Sequence, residues 1–161
     1  MKEVKKEVPE ALVLIVGRET DYVRSLLHDA GAAGLENNFA CTGWLSGSEL
    51  AAAYGMSDIV VVPSLYLDPF PTVNLEAGAT GKPVVGTCFG GTPEVVQDGV
   101  SGYIVNPLDT KKFAEKIMAL LRDETLANKL GAAAQMRIMK EFSEETHVQK
   151  LTALYEKLLP S

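Results

Sequence analysis

Residues 57–91 read SDIVVVPSLYLDPFPTVNLEAGATGKPVVGTCFGG, and the fold is decided in this stretch. Ile59, Val60, Val61 and Val62 form an unbroken β-branched run, which suits a strand buried on both faces of a parallel sheet. A loop carrying Asp68 follows. Pro71 then opens a helical segment over 71–81, with Glu76 about a turn and a half in. A second apolar pair, Val84 and Val85, comes after Gly81, Lys82 and Pro83 and leads to Gly90 and Gly91. Two strand ends therefore each deliver a loop and a helix start. In an open α/β sheet, ligands bind there.

The alternation continues on both sides. Strands are expected at 11–16, 38–42, 59–63, 83–87 and 103–105, with helices near 20–33, 48–55, 71–81 and 92–97. Such a pattern predicts an α/β fold: a doubly wound, Rossmann-like parallel sheet of about five strands, helices on both faces and right-handed crossovers. After residue 106 the strands stop. Asp109 caps a helix to about Arg122, with Phe113, Ile117, Leu120 and Leu121 on its apolar face. Asp123 and Ser143 begin two more, and Glu144 and Glu145 favour the positive end of the last one. That helix carries Leu151, Leu154, Leu158 and Leu159, an apolar face that needs a partner surface and could drive self-association.

A chain of 161 residues suits one domain, 1–161, able to bury roughly two-thirds of its unfolded surface. Its net charge of −6 argues against nucleic acid or an anionic membrane as the main partner. Cys41 and Cys88 are far apart in sequence and read as reduced and buried, consistent with a cytoplasmic protein. No apolar run is long enough to span a bilayer, and no signal-peptide pattern is present. His28 and His147 read as surface or structural residues, and no metal site is expected.

The ligand follows from the same residues. A helix start offers unpaired backbone N–H groups and a partial positive charge, which favour phosphate. With Pro71 as the first helical residue, the free donors are the N–H groups of Thr72 and Val73. Glu76 repels phosphate but can accept hydrogen bonds from a pair of hydroxyls, as acidic side chains do with ribose. Asp68 is a second hydroxyl acceptor. A nucleoside diphosphate sugar, with a polyol on each side of a phosphate, fits this arrangement.

The pattern PS-x3-DPFP-x4-EA-x3-GKPVV-x4-GGTPEVV-x-DG-x-SG, starting at Pro63, resembles the donor half of the group 1 glycosyltransferases (glycosyltransferase family 4), retaining enzymes of the GT-B fold. The resemblance runs from the strand ending at Gly17 to the FSEET segment at 142–146. It implies that Glu76 holds the ribose, as the second acid of an acid-x7-acid motif. Asp68, the first acid, would stand against the donor sugar as the catalytic-site carboxylate. Phe70, Pro71, Thr72 and Val73 would supply backbone contacts to sugar and diphosphate. Gly43, Trp44 and Leu45 would lie near the nucleobase, and Gly90 and Gly91 would line the cleft facing the acceptor. The donor substrate would be a nucleoside-diphosphate sugar, with no separate cofactor.

Two positions depart from the family pattern. The first acid is usually Glu; Asp68 is shorter by one carbon, roughly 1.5 Å of reach. Pro71 stands where Gly is common, which removes a possible donor. The family also carries an N-terminal acceptor-binding domain, and a first strand and helix whose Arg and Lys neutralise the diphosphate. Neither is expected here. MKEVKKEVPEALVLIVG reads as the end of that first helix entering the second strand, with Lys2, Lys5 and Lys6 as solvated helix charges. The resemblance thus implies the donor-binding part of a retaining glycosyltransferase, inactive alone, cytoplasmic or peripheral to the membrane when whole. The alternative is a free-standing module that binds a nucleotide, a sugar or a protein without turnover.

Local readings also stand beside these roles. Asp68 could cap its own loop, and Trp44 could pack rather than stack on a base. Gly90-Gly91 before Thr92-Pro93-Glu94 could be a turn leading into a capped helix.

Overall fold

A computed structural model describes residues 1–159. A short helix α1 (Lys2–Glu7) leads into β1 (Val13–Val16). Next come α2 (Asp21–Ala32), a 3-10 turn at Glu36–Asn38, β2 (Phe39–Gly43) and α3 (Gly47–Met56). The central stretch supplies β3 (Val60–Val62), α4 (Thr72–Ala79), β4 (Val84–Thr87), α5 (Thr92–Val95) and β5 (Gly102–Val105). Three helices close the chain: α6 (Thr110–Arg122), α7 (Glu124–Glu141) and α8 (Glu144–Leu158).

All strand pairings are parallel, as βα alternation requires. The five strands form two ladders, β1-β2 and β3-β4-β5, so among the described residues β1 and β3 each keep one unpaired edge. Val84 and Val85 on β4 are at most 1% exposed and send their side chains to opposite faces. Val85 joins Val105, Phe113, Leu120, Ala127 and Leu130 under α6 and α7. Val84 joins Val62, Ala77 and Val96, with Tyr54 and Val73 packed against them from α3 and α4. Helices thus cover both faces of this ladder, the doubly wound α/β arrangement of half a GT-B fold.

Three helices start as their sequences predict. Asp109 accepts from the Lys112 N–H at 3.1 Å, Asp123 from Leu126 at 2.9 Å and Ser143 from Thr146 at 3.1 Å. Other expectations need correcting. Pro71 is not the first helical residue but the residue before it, with φ −70° and ψ 106°. No side chain caps α5: Gly91 precedes it, and Thr92, its first residue, turns its hydroxyl to a buried partner described below. Both thiols are free, yet Cys88 is exposed and Cys41 only half-buried, so neither is a core residue. Lys6 is solvated and paired with Glu3, whereas Lys5 donates to the Gly34 carbonyl at 2.8 Å and ties α1 to the end of α2.

The last helix keeps its apolar face in the open. Val148, Leu151, Leu154, Tyr155 and Leu158 are all at least 40% exposed, and α8 buries no residue. No helix among the described residues is long and apolar enough to cross a membrane.

Candidate donor site at the start of α4

The loops leaving β3 and β4 touch each other, and α4 begins where they meet. The Gly91 N–H donates to the Asp68 carbonyl at 2.8 Å. A Cβ at Gly90, whose φ is +63°, would collide with the backbone of Asp68. One at Gly91 would strike the Pro69 carbonyl. These two positions need glycine because one backbone lies directly on the other. That is an architectural reason the sequence reading did not supply.

Asp68 is held locally. Its Oδ1 accepts from the Phe70 N–H at 3.1 Å, the loop-capping arrangement typical of aspartate in turns. Its Oδ2 makes no hydrogen bond to another described residue and keeps its acceptor sites. Pro71 is buried and sets the entry angle of α4. Asn74 N–H turns back to the Pro71 carbonyl at 3.1 Å, which leaves the N–H groups of Thr72 and Val73 without a partner among the described residues. The unpaired backbone donors are therefore the two the sequence predicts, although the helix starts one residue later. The Phe70 side chain turns towards the α7–α8 corner, its ring 6.0 Å from that of Phe142.

Glu76 lies one turn further along α4 and is exposed. It is not a free surface acid, because the Tyr54 hydroxyl donates to its Oε2 at 2.8 Å. Tyr54 comes from the last turn of α3, with its ring against the Val62–Ala77–Val84–Val96 cluster. Burial, then the hydrogen bond and the charge of Glu76, raise the ionisation of this phenol well above the ordinary tyrosine range. It remains a donor at neutral pH.

Below this surface, Asn74 and Thr92 are 1% and 0% exposed and joined by a hydrogen bond of 3.2 Å. They fasten the start of α4 to the start of α5. Nothing in residues 68–76 or 88–96 carries a positive side chain, and Arg137, which reaches these segments from α7, donates to the Val95 and Glu94 carbonyls at 3.0 and 2.9 Å.

Gly43, Trp44 and Leu45 sit apart from α4 in sequence, at the end of β2. Gly43 is bridged to Gly17 at the end of β1, the Gly17 N–H donating to its carbonyl at 2.9 Å. Trp44 is 70% exposed, which rules out the core-packing reading, and the Arg18 guanidinium lies 5.6 Å from its ring centroid. Sequence reasoning missed Arg18, Tyr54, Asn74 and Thr92 as site-building residues. For Tyr54 and Asn74 the only signal is a polar group on an otherwise apolar helix face.

Comparison with known proteins agrees with this architecture. Residues 1–137 match the family described as glycosyl transferases group 1. The chain is 40% identical over 113 residues to D-inositol 3-phosphate glycosyltransferase from Corynebacterium jeikeium, covering 70% of this chain and 26% of that protein. It is 27% identical over 165 residues to spore coat protein SA of Bacillus subtilis, covering 98% of this chain and 43% of that one. The structure of Anabaena Alr3699/HepE in complex with UDP superposes with a TM-score of 0.87 at 25% identity, over 98% of this chain and 45% of that chain. The chain spans less than half the length of these relatives. By the match over residues 1–137, it belongs to the group 1 glycosyltransferase family.

Proposed function

We propose that this chain is the nucleotide-sugar-binding domain, 1–161, of a retaining glycosyltransferase, which moves a glycosyl group from a nucleoside-diphosphate sugar to an acceptor held by a separate domain. Residues 160 and 161 lie outside the described residues. The observation that carries the reading is the start of α4: two unpartnered N–H groups, at Thr72 and Val73, with the Glu76 carboxylate one turn on. The diphosphate meets the N–H pair and the ribose hydroxyls meet Glu76. The Asp68 Oδ2 accepts from donor-sugar hydroxyls, and the Gly43–Leu45 loop lies by the base. Gly90 and Gly91 bring the second loop to the cleft. The UDP held by the Anabaena relative supports a uridine nucleotide as the first to try.

Transfer from such a donor is limited by charge developing on the departing diphosphate. Helix dipoles stabilise that charge in part, and residues 68–76 and 88–96 add no positive side chain of their own to complete the task. The isolated chain is therefore expected to bind nucleotide weakly, with a dissociation constant of roughly 0.1–1 mM, and not to turn over. The whole protein acts in the cytoplasm, or at the membrane surface if its acceptor is a lipid.

The test is amide NMR of the chain titrated with UDP, GDP, ADP and their sugars. Shifts gathered at residues 70–76 and 90–94, and lost in Glu76→Ala, are the expected result. Silence across the panel at several millimolar would sink the reading for this chain. Turnover of any nucleotide sugar by the chain alone would refute its inactivity.

A further inference from the structure

Glu76 is exposed on its helix, yet it is grasped by a residue from a different one. Tyr54 stands in the last turn of α3 with its backbone anchored, since its carbonyl accepts from Ser57 N–H at 3.1 Å and from Ser57 Oγ at 2.8 Å. Its ring is wedged against the cluster of Val62, Ala77, Val84 and Val96, so the position of the hydroxyl is fixed by the core. That hydroxyl reaches Oε2 of Glu76 at 2.8 Å. Ala77, the neighbour of Glu76, is 0% exposed, which fixes the rotation of α4 about its axis.

From this geometry we propose that Tyr54 is a positioning residue for sugar-hydroxyl recognition: its phenol holds the Glu76 carboxylate in one orientation, so that Oε1 is presented ready to accept from the vicinal hydroxyls of the nucleotide's ribose. The proposal rests on the reading of Glu76 given above. An ionised carboxylate has about four acceptor sites, and Tyr54 takes one of them, on Oε2. Oε1 is left whole, and the carboxylate loses little freedom when the ligand arrives. Without the phenol, an exposed glutamate samples several rotamers and must be ordered by the ligand itself. A tie between α3 and α4 with no bearing on ligand would use the same hydrogen bond, so stability alone does not separate the two roles.

The experiment measures binding of UDP and of 2′,3′-dideoxyuridine diphosphate by calorimetry or NMR titration. It uses the unaltered chain, Tyr54→Phe, Glu76→Ala and the double variant. Tyr54→Phe keeps the packed ring and removes only the hydroxyl. The expected result is UDP binding weakened about three- to tenfold in Tyr54→Phe, the range set by ordering one long side chain. The dideoxy ligand should be unaffected, and the double variant should be no weaker than Glu76→Ala. Equal loss for both ligands in Tyr54→Phe, or no loss for UDP while Glu76→Ala loses its preference for ribose hydroxyls, would overturn the role of Tyr54 and leave that of Glu76 standing. A Glu76→Ala chain that still prefers UDP over the dideoxy ligand by the original margin would overturn both, as would an unaltered chain that binds neither.

Discussion

Asn74 and Thr92, from helices on two different loops, share a hydrogen bond of 3.2 Å in a place almost free of solvent. The bond joins the two helix starts that face the proposed donor. The Asn74 amide nitrogen donates and the Thr92 hydroxyl accepts, while Asn74 Oδ1 is buried with no partner among the described residues. Here the cost of an unmade bond exceeds the worth of the made one.

Thr92→Val is accordingly expected to lower the unfolding free energy by about 1–3 kcal/mol, because it strands the Asn74 amide while keeping the shape of the side chain. Asn74→Leu combined with Thr92→Val should recover part of that loss, since no polar group is then left unpaired. Urea denaturation of the single and double variants measures both. A double variant showing the full sum of the single losses would mean that the pair contributes nothing as a pair.

Gly91 and Gly55 make a matched contrast. A methyl at Gly91 has nowhere to go against the Pro69 carbonyl, whereas one at Gly55, inside α3, meets nothing within 4 Å. Gly91→Ala should cost about 1–3 kcal/mol and weaken nucleotide binding, because the two loops must separate. Gly55→Ala should stabilise by roughly 0.5–1 kcal/mol through helix propensity alone. Denaturant midpoints would reveal the opposite signs. The same sign for both would refute the tight loop contact.

The alternation of β-branched runs and helix starts was legible because it is local. Each of the five strands and each longer helix lies within a few residues of its expected place. Caps at Asp109, Asp123 and Ser143 follow from single residues and their neighbours. What could not be read was anything made by two distant segments. Gly90 and Gly91 look like a turn until the Asp68 loop is laid on them. Thr92 looks like a cap until Asn74 takes its hydroxyl. Trp44 looks like a core residue because tryptophan usually is one, and only the chain's arrangement leaves it beside Arg18 in the open. The division of the strands into two ladders is equally invisible, because βα alternation states the order of strands along the chain and not which edges meet.

That division predicts uneven protection. β4 is paired on both sides and buried along its whole length. β1 pairs only with β2, and its residues are half-buried or exposed. Amides of Leu14–Val16 should exchange with solvent at least roughly tenfold faster than those of Val84–Gly86, as local openings outpace global unfolding at the weaker edge. Hydrogen exchange followed by NMR or mass spectrometry reads this directly. Equal protection would mean that the unpaired edge of β1 is covered in solution.

Tyr54 gives the pH dependence a definite sign. The phenol is held neutral in the folded chain by burial first, then by its bond to Glu76 and by that carboxylate's charge, so its ionisation is raised from the unfolded value of about 10. A group whose folded value is raised keeps its full contribution below the unfolded one. It loses that contribution as pH climbs through the folded one. Below about pH 9 the stability difference between the unaltered chain and Tyr54→Phe should therefore be flat. Above about pH 10 the unaltered chain should lose stability faster than the variant, because unfolding releases a proton that only Tyr54 holds back. Spectrophotometric titration near 295 nm should in parallel show a late-ionising phenol component that vanishes in Tyr54→Phe. Parallel stability curves for the two chains up to pH 11 would show that the phenol is neither shielded by burial nor held by Glu76 in solution.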